Sequence, residues 1–68
     1  MNEDVFNMSV RKFLKTLGVT SQREIEKAVR DALAAGTIPE SGKIKANARV
    51  TVEGVDLDIS VDGFIDLG

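Results

Sequence analysis

The sequence predicts an α+β fold in which two N-terminal amphipathic helices precede an antiparallel β-hairpin, in the order α-α-β-β, with the sheet completed by dimerisation. Three observations predict it. Apolar residues fall at helical spacing as far as Leu33, and from Ile44 they alternate with polar ones. The third is size: 68 residues with no cysteine and no histidine have neither disulfides nor the usual zinc ligands to reinforce a small core. Association is then the remaining common remedy. The length fits one domain over residues 1–68.

Asn2 and Asp4 are good N-cap residues. Behind them Phe6, Val10, Phe13, Leu14 and Leu17 form one helical stripe. Arg11, Lys12 and Lys15 lie in its second half, where cations suit the negative end of the helix dipole. Gly18 can take the left-handed conformation that ends a helix. Together these predict a helix over 4–17. Ser21 and Glu24 then spell an S-x-x-E capping box, in which each side chain satisfies the other residue's free backbone donor. Ile25, Ala28, Val29, Ala32 and Leu33 make a second stripe, and Gly36 closes it, predicting a second helix over 22–35. Residues 37–42 hold the single proline with Ser41 and Gly42, and read as a loop.

Strands are predicted over 44–52 and 55–66. Ile44, Ala46, Ala48, Val50 and Val52 point one way, and Lys45, Asn47, Arg49, Thr51 and Glu53 the other. After Gly54, Val55, Leu57, Ile59 and Val61 oppose Asp56, Asp58, Ser60 and Asp62. A two-residue loop at Glu53-Gly54 sets Val50 against Leu57 and Ala48 against Ile59, with Arg49 facing Asp58 and Lys45 facing Asp62. Any even loop keeps both apolar sets on one face, whereas an odd loop turns one of them outward. Beyond Asp62 the pattern frays. Gly63 suits a bulge or bend, and Phe64 falls on the polar face while Ile65 and Leu67 stay on the apolar one.

A lone two-stranded ribbon is marginal in water. The two helices are expected to cover its apolar face, which leaves its edges open, and the first strand has little edge protection beyond Lys45 and Arg49. This predicts a homodimer, with Val50, Val52, Phe64, Ile65 and Leu67 as interface residues.

Net charge is −2, which disfavours nucleic acid. The charge is unevenly spread: residues 53–68 carry Glu53, Asp56, Asp58, Asp62 and Asp66 and no base. The chain has no histidine, cysteine or tyrosine, so the usual general base and two usual nucleophiles are missing. Asp56 and Asp58 stand two apart on a strand, about 6–7 Å from each other. That spacing suits a general-acid pair or a hard-cation site, but equally a solvated strand face opposite Arg49. No cofactor or metal is expected.

The segment from Leu17 through Ile25 has the outline of a helix-turn-helix. A recognition helix there would contact nucleic acid through Gln22, Arg23 and Lys27, with Arg11 and Lys15 beside it. The acids Glu24, Glu26 and Asp31, and the acidic last strand, count against that use. Acids among the first residues do not suit a signal peptide, and no apolar run approaches the ~20 residues that span a bilayer. A cytoplasmic protein off the membrane is expected.

The stretches Met1-Asn2-Glu3-Asp4, Phe6-Asn7-Met8-Ser9-Val10-Arg11-Lys12-Phe13-Leu14-Lys15 and Gly18-Val19-Thr20-Ser21-Gln22-Arg23-Glu24-Ile25-Glu26 resemble a family of short bacterial proteins of unknown function. The resemblance implies two helices, a hairpin and a homodimer, and no activity. With the usual catalytic side chains missing, function is expected to be non-enzymatic: a homodimeric interaction or accessory module, open to an unidentified protein partner. The alternatives are a nucleic-acid-binding regulator built on the Gly18–Leu33 turn-helix, and an enzyme whose carboxylate site forms across the dimer.

Overall fold

The structure is a computed structural model that describes all of residues 1–68. It is α+β, with one helix and one hairpin: α1 (Glu3–Ala35), β1 (Lys43–Thr51) and β2 (Asp58–Asp66). The chain divides into two compact units, Met1–Ile38 and Pro39–Gly68.

In the first unit the expected pair of helices is a single helix of 33 residues. Both its ends are fixed by local chemistry. Asn2 is extended (φ −91°, ψ 110°), and its Oδ1 accepts the Val5 N–H at 3.1 Å. Glu3 and Asp4 add negative charge to the positive end of the dipole. At the other end Gly36 adopts φ 71°, its N–H reaches the Leu33 carbonyl at 3.1 Å, and the Thr37 N–H reaches the Ala32 carbonyl at 3.0 Å. That is the Schellman closure, which places glycine where a side chain would be strained.

The predicted break at Gly18 does not occur. Gly18 is not among the glycines with positive φ, so it lacks the left-handed conformation that ends a helix. The physical reason is a balance of small terms. Gly18 within a helix costs about 1 kcal/mol relative to alanine. A break would strip partners from about four N–H and four C=O groups, and the Ser21 box would restore two of them. The two stripes are also in phase. Phe6, Val10, Leu14, Leu17, Ser21, Ile25, Ala28 and Ala32 follow one another at steps of three and four. One straight helix keeps them on one face. Inside the helix the Thr16 hydroxyl donates to the Lys12 carbonyl at 3.1 Å.

In the second unit β1 and β2 pair antiparallel as a two-stranded sheet. The ladder runs unbroken from Lys43↔Asp66 to Thr51↔Asp58, so Gly63 is a regular ladder residue opposite Ala46 rather than a bulge. The hairpin loop is longer than expected. β2 begins at Asp58 instead of residue 55, β1 ends at Thr51, and Val52 lies outside the ladder. The loop chemistry explains this. A tight two-residue hairpin turn needs positive φ at its first central position, or at both. Here only the second, Gly54, has it (φ 84°), as a type II turn requires. The Val55 N–H closes that turn on the Val52 carbonyl at 3.5 Å, and the Leu57 N–H bonds the Val55 carbonyl at 3.0 Å. A type II turn splays its flanking strands, so pairing starts further out. The loop from Val52 to Leu57 still has an even number of residues, and the predicted facing survives. Ile44 opposes Ile65, Ala48 opposes Val61, and Val50 opposes Ile59.

The open end of the hairpin is also tied. The Gly42 N–H donates to the Gly68 carbonyl at 3.0 Å, and the Leu67 N–H donates to the Gly42 carbonyl at 2.7 Å. Residues 64–66 are part of the ladder, opposite Lys45, Ile44 and Lys43.

Candidate functional site

The polar face of the hairpin carries the only charge chemistry with defined geometry. The register brings Lys45 opposite Phe64, Asn47 opposite Asp62, and Arg49 opposite Ser60. Arg49 reaches diagonally to Asp58 and binds it with two hydrogen bonds, Nε to Oδ1 at 2.8 Å and Nη2 to Oδ2 at 2.5 Å. The pairing of Arg49 with Asp58 expected from the sequence is therefore present, but on the diagonal. Lys45 is not the partner of Asp62, which instead accepts a 2.7 Å bond from Asn47 Nδ2. The Arg49 hydrogen bonds hold the Asp58 carboxyl below its ordinary value, and Asp58 in turn raises the Arg49 guanidinium. Asp58 is thus tuned toward the permanently ionised form, the opposite of what a general acid needs. Asp56 sits in the loop, so the two carboxylates do not form a pair on one strand.

Both members of the Arg49–Asp58 pair are well exposed, at 68% and 53% of their side chains. The pair orients two side chains across the ribbon in open solvent. Beside it lies a shallow depression lined by Lys45, Ala46, Asn47, Asp62, Gly63 and Phe64. Phe64 is the apolar exception on this face and is 66% exposed. No group of three or more acidic, cysteine or histidine side chains converges in a way that could hold a metal ion.

The apolar surfaces are more extensive. On the hairpin, Ile44, Ala46, Ala48, Val50, Ile59, Val61 and Ile65 share one face. On α1, Phe6, Val10, Leu14, Leu17 and Ile25 are each between 38% and 49% exposed. Neither unit contains a single buried residue.

The residues predicted for an interface are dispersed by this geometry. Val50 and Ile65 are half-buried on the apolar face, Phe64 is on the polar face, and Val52 is in the loop. Leu67 lies just past β2, half-buried and held by Gly42. The residues predicted for nucleic acid, Arg11, Lys15, Gln22, Arg23 and Lys27, all lie along the one helix. The Gly18–Leu33 segment is uninterrupted helix, so the turn that a helix-turn-helix requires is missing. Missed from the sequence was the α1 stripe as a single surface. Its signal was the unbroken phase across Gly18. No helix is long and apolar enough to cross a membrane.

No curated protein and no solved structure matches the chain. A family of unknown function (DUF6494) matches it over residues 1–68.

Proposed function

The chain belongs to the DUF6494 family, whose function is unknown, and we propose from its own geometry that it is a non-enzymatic interaction module that works as a homodimer. The observation that carries this is the absence of any buried side chain in either unit, beside two extended apolar faces. Leaving one large aliphatic or aromatic side chain half exposed forgoes about 1 kcal/mol of burial. Five such side chains on the helix stripe alone make a surface that water disfavours. A second copy is the partner certain to be present wherever the chain is made. Once the apolar faces are covered, the open edges of β1 and β2 and the acidic strand remain for a further protein partner. The lack of cysteine suits a reducing compartment such as the cytoplasm.

Concentration-dependent melting tests the proposal. A homodimer that folds as it associates gains stability by mass action, so its melting midpoint rises with protomer concentration. Melts at about 2 and 200 μM that coincide would count against it. Mixed-sequence duplex DNA at about 50 mM salt gives no mobility shift on this reading, while a salt-sensitive shift would favour a nucleic-acid regulator.

A further inference from the structure

The helix stripe has an internal symmetry that specifies how a second copy would sit on it. From Val10 the members are Val10, Leu14, Leu17, Ser21, Ile25, Ala28 and Ala32, at steps of four, three, four, four, three and four. The series reads the same in both directions about Ser21. Phe6 lies four before Val10, and Gly36, the left-handed cap just beyond the last helical residue, lies four after Ala32, so the spacing continues one step on each side. Side-chain volume is distributed in the opposite way. Within this series the N-terminal half carries Phe6, Val10, Leu14 and Leu17, whereas the C-terminal half carries Ile25, Ala28 and Ala32 and ends at the Gly36 cap. Phe13 flanks the first half, and Val29 and Leu33 flank the second.

We propose that α1 packs antiparallel against α1 of a second copy, about a two-fold axis at Ser21. This rests on the homodimer proposed above and assigns its interface. The axis sets Phe6 against Gly36, Val10 against Ala32, Leu14 against Ala28 and Leu17 against Ile25, while Ser21 meets its own copy. Most layers then combine a large side chain with a small one, which is how facing helix surfaces interdigitate at constant separation. A parallel pair would set Phe6 on Phe6 and Ala32 on Ala32, too wide at one end and too loose at the other. Ser21 is half-buried within the helix, and its hydroxyl finds a natural partner in the symmetry-related hydroxyl. The dipoles of the two helices also oppose one another.

The area is adequate. The stripe from Phe6 to Gly36 extends about 45 Å along the helix, and a band about 10 Å wide gives roughly 900 Å² in projection for the two partners. That is close to the ~1,000 Å² expected of a specific interface. The step pattern has an eleven-residue repeat (Phe6, Leu17, Ala28), which suits a gentle right-handed coiling of the two helices.

The chain has no cysteine, so single cysteines report the geometry without background. Three variants of the full chain are compared under mild oxidation: Ser21→Cys, Val10→Cys and Ala32→Cys. The proposal expects Ser21→Cys to form a disulfide dimer rapidly. Ala32→Cys alone should form one at least tenfold more slowly, because its two copies stand about 33 Å apart. Mixing Val10→Cys with Ala32→Cys should yield the mixed dimer. Rapid self-linking of Ala32→Cys would establish a parallel pair and overturn the proposal. A dimer mass without linking of Ser21→Cys would overturn this interface while leaving the homodimer standing. A monomer mass for the unmodified chain would overturn both. In that case, slow reaction of Ser21→Cys with a maleimide would point to the chain's own hairpin as the cover, and fast reaction to an unoccupied stripe. Circular dichroism of each variant before oxidation shows that the helix is retained.

Discussion

Replacing Gly18 by alanine distinguishes one continuous helix from two by the sign of its effect. In the structure Gly18 has helical backbone, and a Cβ built there meets nothing within 4 Å. Alanine then removes the conformational freedom of an interior glycine from the unfolded chain and adds a strong helix former. The expected gain is about 0.5–1 kcal/mol. Were Gly18 instead the left-handed closing residue of a shorter helix, alanine would lose about 1–2 kcal/mol. The two architectures thus differ by roughly 2 kcal/mol and in sign. For a chain of this size, 1 kcal/mol moves the melting midpoint by about 4–8 °C. The assay is thermal unfolding followed by helical circular dichroism at 222 nm, wild type against Gly18→Ala, at one fixed protomer concentration. A higher midpoint with equal or greater helicity is expected. A midpoint lower by several degrees would refute the continuous helix.

Other consequences follow from particular contacts. Gly36→Ala, at φ 71°, should lose about 1 kcal/mol, a result opposite to that at Gly18 although both residues are glycines of one helix. Asn2→Ala should lose about 0.5–2 kcal/mol through the missing bond to the Val5 N–H, read as a lower denaturant midpoint at unchanged slope. Because Arg49 lowers the Asp58 pKa in the folded state, the stabilising contribution is fully present above the ordinary carboxylate value of 3.8. It fades as pH falls through the lower folded value. Arg49 stays protonated throughout. Asp58→Asn should therefore flatten the acid limb of the melting midpoint between about pH 5 and 2, and an unchanged acid limb would contradict the pair's role. Phe64→Ser should leave the melting midpoint within a few degrees of wild type, since its ring is 66% exposed on the polar face of the hairpin.

Much of this fold is legible in the sequence where one local rule acts alone. The cap at Asn2 and the closure at Gly36 follow from the residues themselves. The even hairpin loop follows from alternation, because only an even count keeps both apolar sets on one side. The errors arise where two signals compete. Ser21-Gln22-Arg23-Glu24 can cap a helix, yet the same residues sit readily inside one. What favours the interior reading is that the apolar stripes on either side of Ser21 share one helical phase, Leu17 and Ile25 each lying four residues from it. At Glu53-Gly54 the glycine marked the turn correctly, but its second position selected a splayed turn and moved the register by two residues. Arg49 and Asp58 still meet, because a long side chain spans the diagonal. The candidate interface was least legible. It depends on the helix being one element, and the predicted break concealed the symmetry about Ser21.

In the dimer proposed above, a second copy of the chain covers the open apolar stripe of α1. Sedimentation equilibrium of the full chain at micromolar concentration measures this most directly. The protomer mass is 7.3 kDa, so the account predicts a mass of twice that value, falling toward the protomer mass only on strong dilution. A single species at 7.3 kDa across the whole concentration range would contradict it.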